Sequence, residues 1–378
     1  MMKNNTHKSI NNKTIGVLVS GGDCSGLNLT VRSIVRHAIK TYNWRVIGIQ
    51  KGYWGIWTRP MQTVDLTIEK CDYRWVTSGG IFLGSNKNIG PPKFADFGKT
   101  FPDLNDAFCQ GYKALGLDAI IVIGGDGSLR KLAEIHNYQK QKSPDSPLNF
   151  LAIPKTIDND VAYTDLAIGH ETALDVVINA IDNLQSTAES HDRVIVVEVM
   201  GKDVGHIALK GGIAASADAI LIPEIPYDIN KLAEHINKIF RKEKQYAIVV
   251  VSESIRTPEG KAMKKTIGAK EQERYNGIGA ELALILKEKV SAEIRSVSLG
   301  HIQRGGTPHI KDRLLAARFG VHAVDLIAKN QFCRVLCVLN GRSGDISIAD
   351  ATSRIQAVDP QGEMVHIARS LGIYVGEL

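Results

Sequence analysis

The chain has 378 residues, of which 44% are hydrophobic and 23% are charged, and its formal net charge is +6 at pH 7. This composition predicts a protein that can bury a core, with room for one large domain or two medium ones. The modest positive charge is not concentrated in a tail, so we expect no nucleic acid among the partners. Because no run of about 18 apolar residues is present, we also expect no membrane span.

Residues 1–13 are polar, rich in Asn and Lys, and lack the apolar stretch of a signal peptide, which predicts a disordered leader. The five cysteines are scattered and match no zinc-binding spacing. Cys333 and Cys337 lie in or beside an apolar run that is typical of a strand. A reducing cytoplasm is therefore the expected location.

In chain order, short β-branched runs alternate with longer helical patterns. The runs predict strands at 15–19, 46–49, 119–123, 149–153, 194–199, 219–222, 247–251, 294–299 and 335–339. The helical patterns are clearest at 171–188, 231–241 and 279–289, and the polar stretch 256–274 indicates a surface insertion or a flexible lid. Alternating strands and helices, with nearly continuous apolar strands, predict an α/β fold of two doubly wound, Rossmann-like domains with mainly parallel sheets.

Ligands of open α/β sheets bind beyond the carboxyl ends of the strands, so the segments after the predicted strands carry the functional signal. The first strand is followed by SGGDCSG at residues 20–26 and then by a helix. Glycines at such a turn let backbone amides approach a phosphate, and the helix start adds a favourable dipole. The spacing matches neither the dinucleotide fingerprint nor the Walker pattern, so a tight turn without a ligand is the alternative.

The strand at 119–123 is followed by GGDGS at residues 124–128 and by another helix. Three glycines and a hydroxyl surround Asp126, which predicts a phosphate cradle with its own magnesium ligand. NAD kinases and lipid kinases carry similar runs. The loop therefore indicates a phosphate donor rather than a particular acceptor.

The strand at 149–153 is followed by PKTIDND at residues 154–160. On an extended segment, Asp158 and Asp160 would point the same way, toward a shared site. Phosphoryl transfer to an alcohol needs a base near the hydroxyl and a metal on the phosphate, and two aspartates can divide these roles. A solvated turn would also accommodate the same residues.

The strand at 294–299 leads into GHIQRGG at residues 300–306. Arg295, His301 and Arg304 can donate hydrogen bonds to a dianionic sugar phosphate, since a guanidinium fork binds phosphate oxygens in pairs. Arg193 and Lys202, on either side of another predicted strand, are candidates for the same anion. Each of these residues alone would also suit a solvated surface.

Seven motifs occur in the order and approximate spacing of the 6-phosphofructokinase family, which the chain resembles over roughly residues 14–326. They are GGDCSGLN, SGGIFLGSNK, IGGDGS, PKTIDND, SHDR, EVMGKDVG and LGHIQRGG. The resemblance implies an active site in the cleft between the two domains. It implies a phosphate-donor domain at 14–169 plus about 303–350, and a sugar-phosphate domain at about 170–302 plus 351–378.

The resemblance implies transfer of the γ-phosphoryl group of ATP to the 1-hydroxyl of fructose 6-phosphate with Mg²⁺, a reaction of glycolysis. Asp158 would accept the hydroxyl proton, and Asp126, with Asp160 nearby, would hold the metal. The donor site would be lined by Gly22, Lys87, Asn88, Gly124, Gly125, Asp126, Gly127 and Ser128. Fructose 6-phosphate would be bound by Thr156, Ile157, Asp158, Arg193, Met200, Gly201, Lys202, Glu253, Arg295, His301, Ile302, Gln303 and Arg304.

In the family, the arginines that match Arg193 and Arg295 enter from a neighbouring subunit, which implies a homo-oligomer, usually a tetramer. Lys87 and Lys202 stand where bacterial ATP enzymes have arginine; they keep the charge but lose the bidentate fork. Some further positions match effector-binding residues of allosteric members, whereas one departs from them, so regulation stays open. Those that match are Arg32, Arg36 and Arg59, and the one that departs is Gln185.

Two residues bear on the phosphate donor, and they disagree. Gly127 is typical of ATP-using members, whereas pyrophosphate users carry an aspartate there that would repel the α-phosphate of ATP. Lys155 follows the pyrophosphate pattern. We give Gly127 the greater weight because it acts by exclusion, and we expect ATP. The alternatives are a pyrophosphate-dependent enzyme and, more remotely, a non-catalytic sugar-phosphate-binding regulatory subunit, which would be expected to lose Asp126, Asp158 or Asp160.

Overall fold

The computed structural model describes residues 12–85, 103–242, 244–256, 264–267, 272–275 and 277–377. Its strands are β1 (Thr14–Ser20), β2 (Arg45–Ile49), β3 (Thr63–Leu66), β4 (Ala119–Gly124), β5 (Phe150–Pro154), β6 (Arg193–Val199), β7 (Ala219–Leu221), β8 (Ala247–Ser252), β9 (Lys264–Ile267), β10 (Gln272–Tyr275), β11 (Glu293–Ser298), β12 (Arg334–Leu339) and β13 (Arg342–Ser347). Its α-helices are α1 (Leu27–Tyr42), α2 (Tyr53–Trp57), α3 (Arg74–Thr77), α4 (Leu104–Ala114), α5 (Asp126–Lys142), α6 (His170–Ser190), α7 (His206–Ala214), α8 (Ile229–Lys242), α9 (Ile278–Lys287), α10 (Ile310–Ala328), α11 (Ile348–Ala351) and α12 (Glu363–Ser370), and a 3₁₀ helix spans Gly300–Arg304.

The chain divides into two compact units, each assembled from three segments. Unit 1 comprises Met1–Thr156, Val161–Gly169 and Thr307–Ile355; unit 2 comprises Ile157–Asp160, His170–Gly306 and Gln356–Leu378. The sequence-based boundaries lay at 169, about 302 and 350, and they did not separate residues 157–160 from the first domain. Which unit binds the phosphate donor and which binds the sugar phosphate remains a prediction.

Unit 1 is built on a seven-stranded sheet in the order β13-β12-β5-β4-β1-β2-β3. The five central strands are parallel, and the two outer strands, β13 and β3, are antiparallel to their neighbours. Every residue of β4, with the sequence AIIVIG, is buried, because helices cover both faces of a parallel sheet. Full burial of each such isoleucine or valine contributes about 1.5–3 kcal/mol, which explains the apolar runs.

Unit 2 contains a four-stranded, fully parallel sheet in the order β11-β6-β8-β7. Its core includes Val194 and Val196 of β6, Val249 of β8, and Leu232 and Ile236 of the amphipathic helix α8. The predicted α/β class with mainly parallel sheets is confirmed, and each of the predicted strands and helices occurs with boundaries shifted by at most two residues.

Parts of the sequence-based interpretation fall outside the described residues. These parts include residues 1–11 of the predicted leader and most of the predicted insertion 256–274. Within the insertion, β9 and β10 pair as an antiparallel hairpin with Gln272 opposite Ile267. No helix in the part of the chain that the structure describes is long and apolar enough to cross a membrane.

Candidate active site

The unit 1 cluster consists of the loop residues 21–22, 124–128 and 155–156, which follow β1, β4 and β5. The strand register places Ser20 of β1 opposite Gly124 of β4, and Gly124 opposite Pro154 of β5. Because the three parallel strands end level, the three loops lie at the same edge of the sheet. The structure therefore brings together the described members of the predicted donor site, which lie within unit 1.

Glycines allow the three loops to approach one another closely at this edge. Gly21 has φ +89°, a left-handed conformation that favours glycine, and a Cβ there would lie 3.1 Å from the Nζ of Lys155. At Gly124 a Cβ would approach the Cβ of Ser128 to 2.5 Å, and at Gly125 it would lie 3.0 Å from the carbonyl oxygen of Lys155. The glycines therefore let the three loops pack closely against one another beside the start of α5, and a helix start that follows glycine loops suits a phosphate.

Lys155 joins the third loop to the first. Its side chain is buried, with 4% of its surface exposed, and its Nζ donates a hydrogen bond to the carbonyl oxygen of Gly22 at 2.5 Å. The backbone amide of Lys155 donates to the carbonyl oxygen of Gly124 at 3.0 Å. This residue, weighed in the sequence only as a sign of the donor, therefore also holds the cradle together.

Asp126 is the first residue of α5 and stands next to the glycines of the second loop. Both of its carboxylate oxygens accept from the Nε of Arg130, one turn along the helix, at 3.0 and 2.8 Å. Among the described residues, no three His, Cys, Asp or Glu side chains converge as a metal site. Magnesium is usually held by one or two carboxylates together with substrate phosphates, so a single carboxylate beside an open phosphate cradle fits this ion.

The unit 2 cluster consists of residues 157–160, 200–203, 253 and 300–304. Here β6 and β8 end level, with Val199 opposite Ser252, and β11 ends beside them, with Ser298 opposite Glu198. The amide of Met200 donates to the Oε1 of the buried side chain of Gln303 at 3.1 Å, which links two of the loops.

Asp158 is 9% exposed, and its surroundings make ionisation costly. Burial, followed by the negative charge of Asp160, raises the pKa of Asp158 to about 6, although Arg304 and Lys202 act in the opposite direction. A carboxylate with a pKa in this range is ionised at neutral pH and still basic enough to take a proton from a hydroxyl during transfer. These are the properties of a general base.

Glu253 is a second carboxyl group with a raised pKa in the same cluster. Burial, together with the charges of Asp158 and Glu198, raises the pKa of Glu253 to about 7, while the hydrogen bond from the Gly201 amide and the charge of Arg304 lower it. The Gly201 amide lies 3.4 Å from Oε1 of Glu253. The cluster therefore holds two carboxyl groups that titrate near neutrality.

We expect the substitution Glu253→Gln to raise the free energy of unfolding by roughly 2–3 kcal/mol at pH 8. At pH 8 the carboxylate must be ionised in its buried site, whereas an amide of similar shape carries no charge. The folded protein binds the Glu253 proton more tightly than the unfolded chain, because its pKa is raised to about 7. The gain should therefore shrink as the pH falls from 7 to 5. Denaturant unfolding of the parent and the variant at several pH values measures this difference in the free energy of unfolding. A difference that grows as the pH falls would contradict the pKa assignment.

The two arginines predicted to enter from a neighbouring subunit occupy a different place from Asp158. Arg193 and Arg295 stand on the adjacent strands β6 and β11, and both pair with Glu293, Arg193 through its Nε at 2.8 Å. The Arg295 side chain is 60% exposed. Arg193 begins β6, whereas Met200 of the unit 2 cluster follows the other end of that strand.

Several other predicted site residues are exposed or lie outside the described residues. His301 and Ile302 are exposed on the 3₁₀ helix, and Lys202 is 76% exposed with its Nζ 3.6 Å from Asp203. Lys87 and Asn88 lie outside the described residues.

The expectation of an extended segment at Asp158 and Asp160 is wrong at its centre. Asn159, buried between them, has φ +56°, in the left-handed region that Asn tolerates better than most residues. The two carboxylates are nevertheless close enough for the charge of Asp160 to raise the pKa of Asp158. The local conformation therefore differs from the expectation, while the two charges interact; a shared site for the two aspartates stays a prediction.

Sequence reasoning missed two residues that interact with members of these clusters. Arg130, which binds Asp126, stands four residues later on the same helix, a spacing at which opposite charges meet. Glu198 is buried at the end of β6 and accepts hydrogen bonds from the amide of Gly279 at 2.8 Å and the hydroxyl of Ser298 at 2.9 Å. The signal for Glu198 was a single acidic residue in an otherwise apolar strand.

Three of the four residues weighed for effector binding form hydrogen bonds within their own chain. In unit 1, Arg32 donates to the carbonyl oxygen of Asp72 at 3.0 Å, and Arg59 donates to the carbonyl oxygens of Ile56 and Thr58. In unit 2, Gln185 donates to the carbonyl oxygen of Ala215 at 2.7 Å.

A family model described as Phosphofructokinase matches residues 14–327. ATP-dependent 6-phosphofructokinase 1 of Synechocystis sp. is 44% identical over 96% of this chain and 98% of its own length. ATP-dependent 6-phosphofructokinase 2 of Clostridium perfringens is 39% identical over 96% and 98%, respectively. These matches, together with glycine loops and buried carboxyl groups at the ends of parallel strands, define the class of protein. The chain belongs to the phosphofructokinase family.

Solved structures give the same fold. The crystal structure of Pichia pastoris phosphofructokinase in the T-state has a TM-score of 0.75 and 28% sequence identity over 95% of this chain, which spans 39% of that longer chain. A pyrophosphate-dependent phosphofructokinase from Nitrosospira multiformis has a TM-score of 0.76 over 97% of this chain and 93% of its own. At 19% identity, the second match shows the fold alone.

Proposed function

We propose that the protein is an ATP-dependent 6-phosphofructokinase, which transfers the γ-phosphoryl group of ATP to the 1-hydroxyl of fructose 6-phosphate and yields fructose 1,6-bisphosphate in glycolysis. The observation that carries this proposal is the full-length similarity to relatives named ATP-dependent 6-phosphofructokinase, at 42–44% identity. The chain also retains a candidate base, a candidate metal carboxylate and both glycine loops. The cytoplasm is the proposed location.

In the proposed mechanism, backbone amides of the unit 1 cluster bind the phosphates of ATP. The hydroxyl of fructose 6-phosphate gives its proton to the carboxylate of Asp158, whose raised pKa suits this transfer. Lys202, Glu253, His301 and Arg304 are proposed to bind the sugar phosphate, together with the remaining predicted residues. Mg²⁺, held by Asp126 with Asp160, would neutralise negative charge on the transferred phosphoryl group.

A donor assay tests the proposal directly. The purified protein, with fructose 6-phosphate and Mg²⁺, should form fructose 1,6-bisphosphate with ATP and little or none with pyrophosphate. Gly127 supports ATP, because it is exposed at the first turn of α5 and leaves room for further phosphates. Lys155 supports the second candidate, a pyrophosphate-dependent enzyme. Robust activity with pyrophosphate in place of ATP would establish that second candidate.

The proposed assembly is a homo-oligomer, a tetramer by analogy with the family, in which Arg193 and Arg295 complete the site of a neighbouring subunit. Both arginines pair with Glu293 on the adjacent strands β6 and β11, and the Arg295 side chain is 60% exposed. This arrangement suits side chains that act on a partner's substrate.

We expect a mixture of Arg295→Ala and Asp158→Asn chains to recover activity that neither variant has alone. In a hybrid, one site would combine the intact Asp158 of one chain with the intact Arg295 of the other. Co-expression with two affinity tags isolates hybrids for assay. Hybrids that form and stay inactive would show that each chain completes its own site.

A further inference from the structure

Residues 157–160 of unit 2 carry both aspartates of the proposed reaction, and hydrogen bonds hold this segment by its backbone at both ends. At the first end, the carbonyl oxygen of Ile157 lies 2.6 Å from the Nδ1 of His170. At the other end, the carbonyl oxygen of Asp160 accepts from the amide of Gln356 at 2.9 Å. Ile157 directly precedes Asp158, so its peptide group orients the base.

His170 is fully buried at the start of α6. The partner of its Nε2 determines whether its Nδ1 carries the ring proton. The Nε2 of His170 lies 3.3 Å from the Nζ of Lys210. An ammonium group only donates hydrogen bonds, so Nε2 must accept, and the ring proton must sit on Nδ1. Lys210 therefore selects the tautomer that donates to the carbonyl oxygen of Ile157.

The Asp160 end of the segment is held from α7, the helix that carries Lys210. The Nε2 of His206 lies 2.9 Å from the carbonyl oxygen of Gln356, whose amide holds Asp160. Burial lowers the pKa of His206, which keeps the ring neutral and able to donate from Nε2. His206 and Lys210 are four residues apart on α7 and so share one face of the helix.

Helix α7 is itself packed closely against α6. A Cβ added at Gly211 of α7 would lie only 2.8 Å from Cγ1 of Val177 in α6. The helix that supplies His206 and Lys210 is therefore in close contact with the helix that supplies His170. The hydrogen bonds that these histidines make toward residues 157–160 begin on this packed pair of helices.

We propose that His170 and His206 are positioning residues that hold residues 157–160, and with them the carboxylate of Asp158, in the geometry that phosphoryl transfer requires. The inference rests on the proposed function. Two adjacent carboxylates, Asp158 and Asp160, repel each other, and the left-handed residue Asn159 between them adds a conformation that needs support. The histidines supply that support from outside the segment. They act through the backbone and need not touch the substrate.

The test uses pairs of variants that differ in whether the hydrogen bond survives. His170→Leu removes the donor, whereas His170→Asn places an amide nitrogen near the position of Nδ1. Likewise, His206→Leu removes the donor and His206→Gln places an amide nitrogen near the position of Nε2. We expect each Leu variant to lower kcat about 10- to 100-fold, with KM for fructose 6-phosphate changed less than about threefold. Each amide variant should recover most of kcat.

A matched control is His235→Leu, since His235 also lies 3.1 Å from a backbone carbonyl oxygen, that of Asp218, away from residues 157–160. It should leave kcat near the parent value. Crystal structures of the variants give a readout independent of activity: residues 157–160 should shift in the Leu variants and return in the amide variants. An unmoved segment, or amide variants as slow as Leu variants, would overturn the proposal. A parent protein without phosphofructokinase activity would instead overturn the proposed function, whatever the structures show.

Discussion

Replacing Asp158 with Asn is expected to lower kcat by about 10²–10⁴-fold while the affinity for fructose 6-phosphate stays within about threefold of the parent value. The amide keeps the size of the carboxyl group but cannot accept a proton from the sugar hydroxyl. Steady-state kinetics gives kcat, and calorimetric titration with fructose 6-phosphate gives the affinity. Turnover within tenfold of the parent would remove Asp158 from the role of base.

The same variant should be more stable than the parent, which separates loss of chemistry from loss of folding. The pKa of Asp158 is raised to about 6 by burial and by Asp160, so an ionised carboxylate destabilises the folded state at neutral pH. Removing that charge should raise the free energy of unfolding by roughly 2–3 kcal/mol at pH 8, and by less as the pH falls toward 5. As a control, Asp65→Asn removes a charge from an exposed side chain on β3, outside both clusters, and should leave kcat close to the parent value.

Replacing Gly127 with Asp is expected to lower kcat/KM for ATP by about 100-fold or more. The new carboxylate would stand at the first turn of α5, beside the glycine loop, where it would repel a bound phosphate in a partly desolvated site. Because Lys155 is already bonded to the carbonyl oxygen of Gly22, we expect at most trace activity with pyrophosphate. A coupled assay with each donor measures both effects.

The fold should tolerate this substitution, since an acidic residue in the first turn of a helix is favoured by the helix dipole. Gly127→Ala is the matched control, because it adds a methyl group without a charge at an exposed position. It should retain most of the activity with ATP. If the Ala and Asp variants lose activity equally, steric bulk rather than charge governs donor choice at this residue.

The parallel sheets were predictable because burial on both faces forces an apolar run on each central strand, as in AIIVIG of β4. The outer strands β3 and β13 were missed for the same reason. Their sequences, TVDL and RSGDIS, contain charged residues because most side chains of these outer strands are exposed or only partly buried. Periodicity therefore identifies the centre of such a sheet better than its edges.

The clusters were predictable where glycines and charged residues directly follow a strand, as at 124–128 and 300–304. The left-handed conformation of Asn159 could not be predicted, because tertiary contacts around the segment determine it. The hydrogen-bonded connection from Lys210 through His170 to Ile157 could not be predicted either, because it joins residues far apart in the sequence. A motif search detects only residues that are close in the sequence, whereas these hydrogen bonds depend on how the helices pack.

The interleaved segments of the two units have a consequence for synthesis on the ribosome. Strand β5 ends at Pro154, but its sheet neighbour β12 begins only at Arg334, which is made 180 residues later. At bacterial-like rates of 5–20 residues per second, β5 therefore waits roughly 10–40 s with one row of amides and carbonyls unpaired. An apolar strand with an open edge is a template for intermolecular pairing. The nascent chain is thus most exposed to aggregation in this interval, and chaperones that cover strand edges would matter most for its yield then.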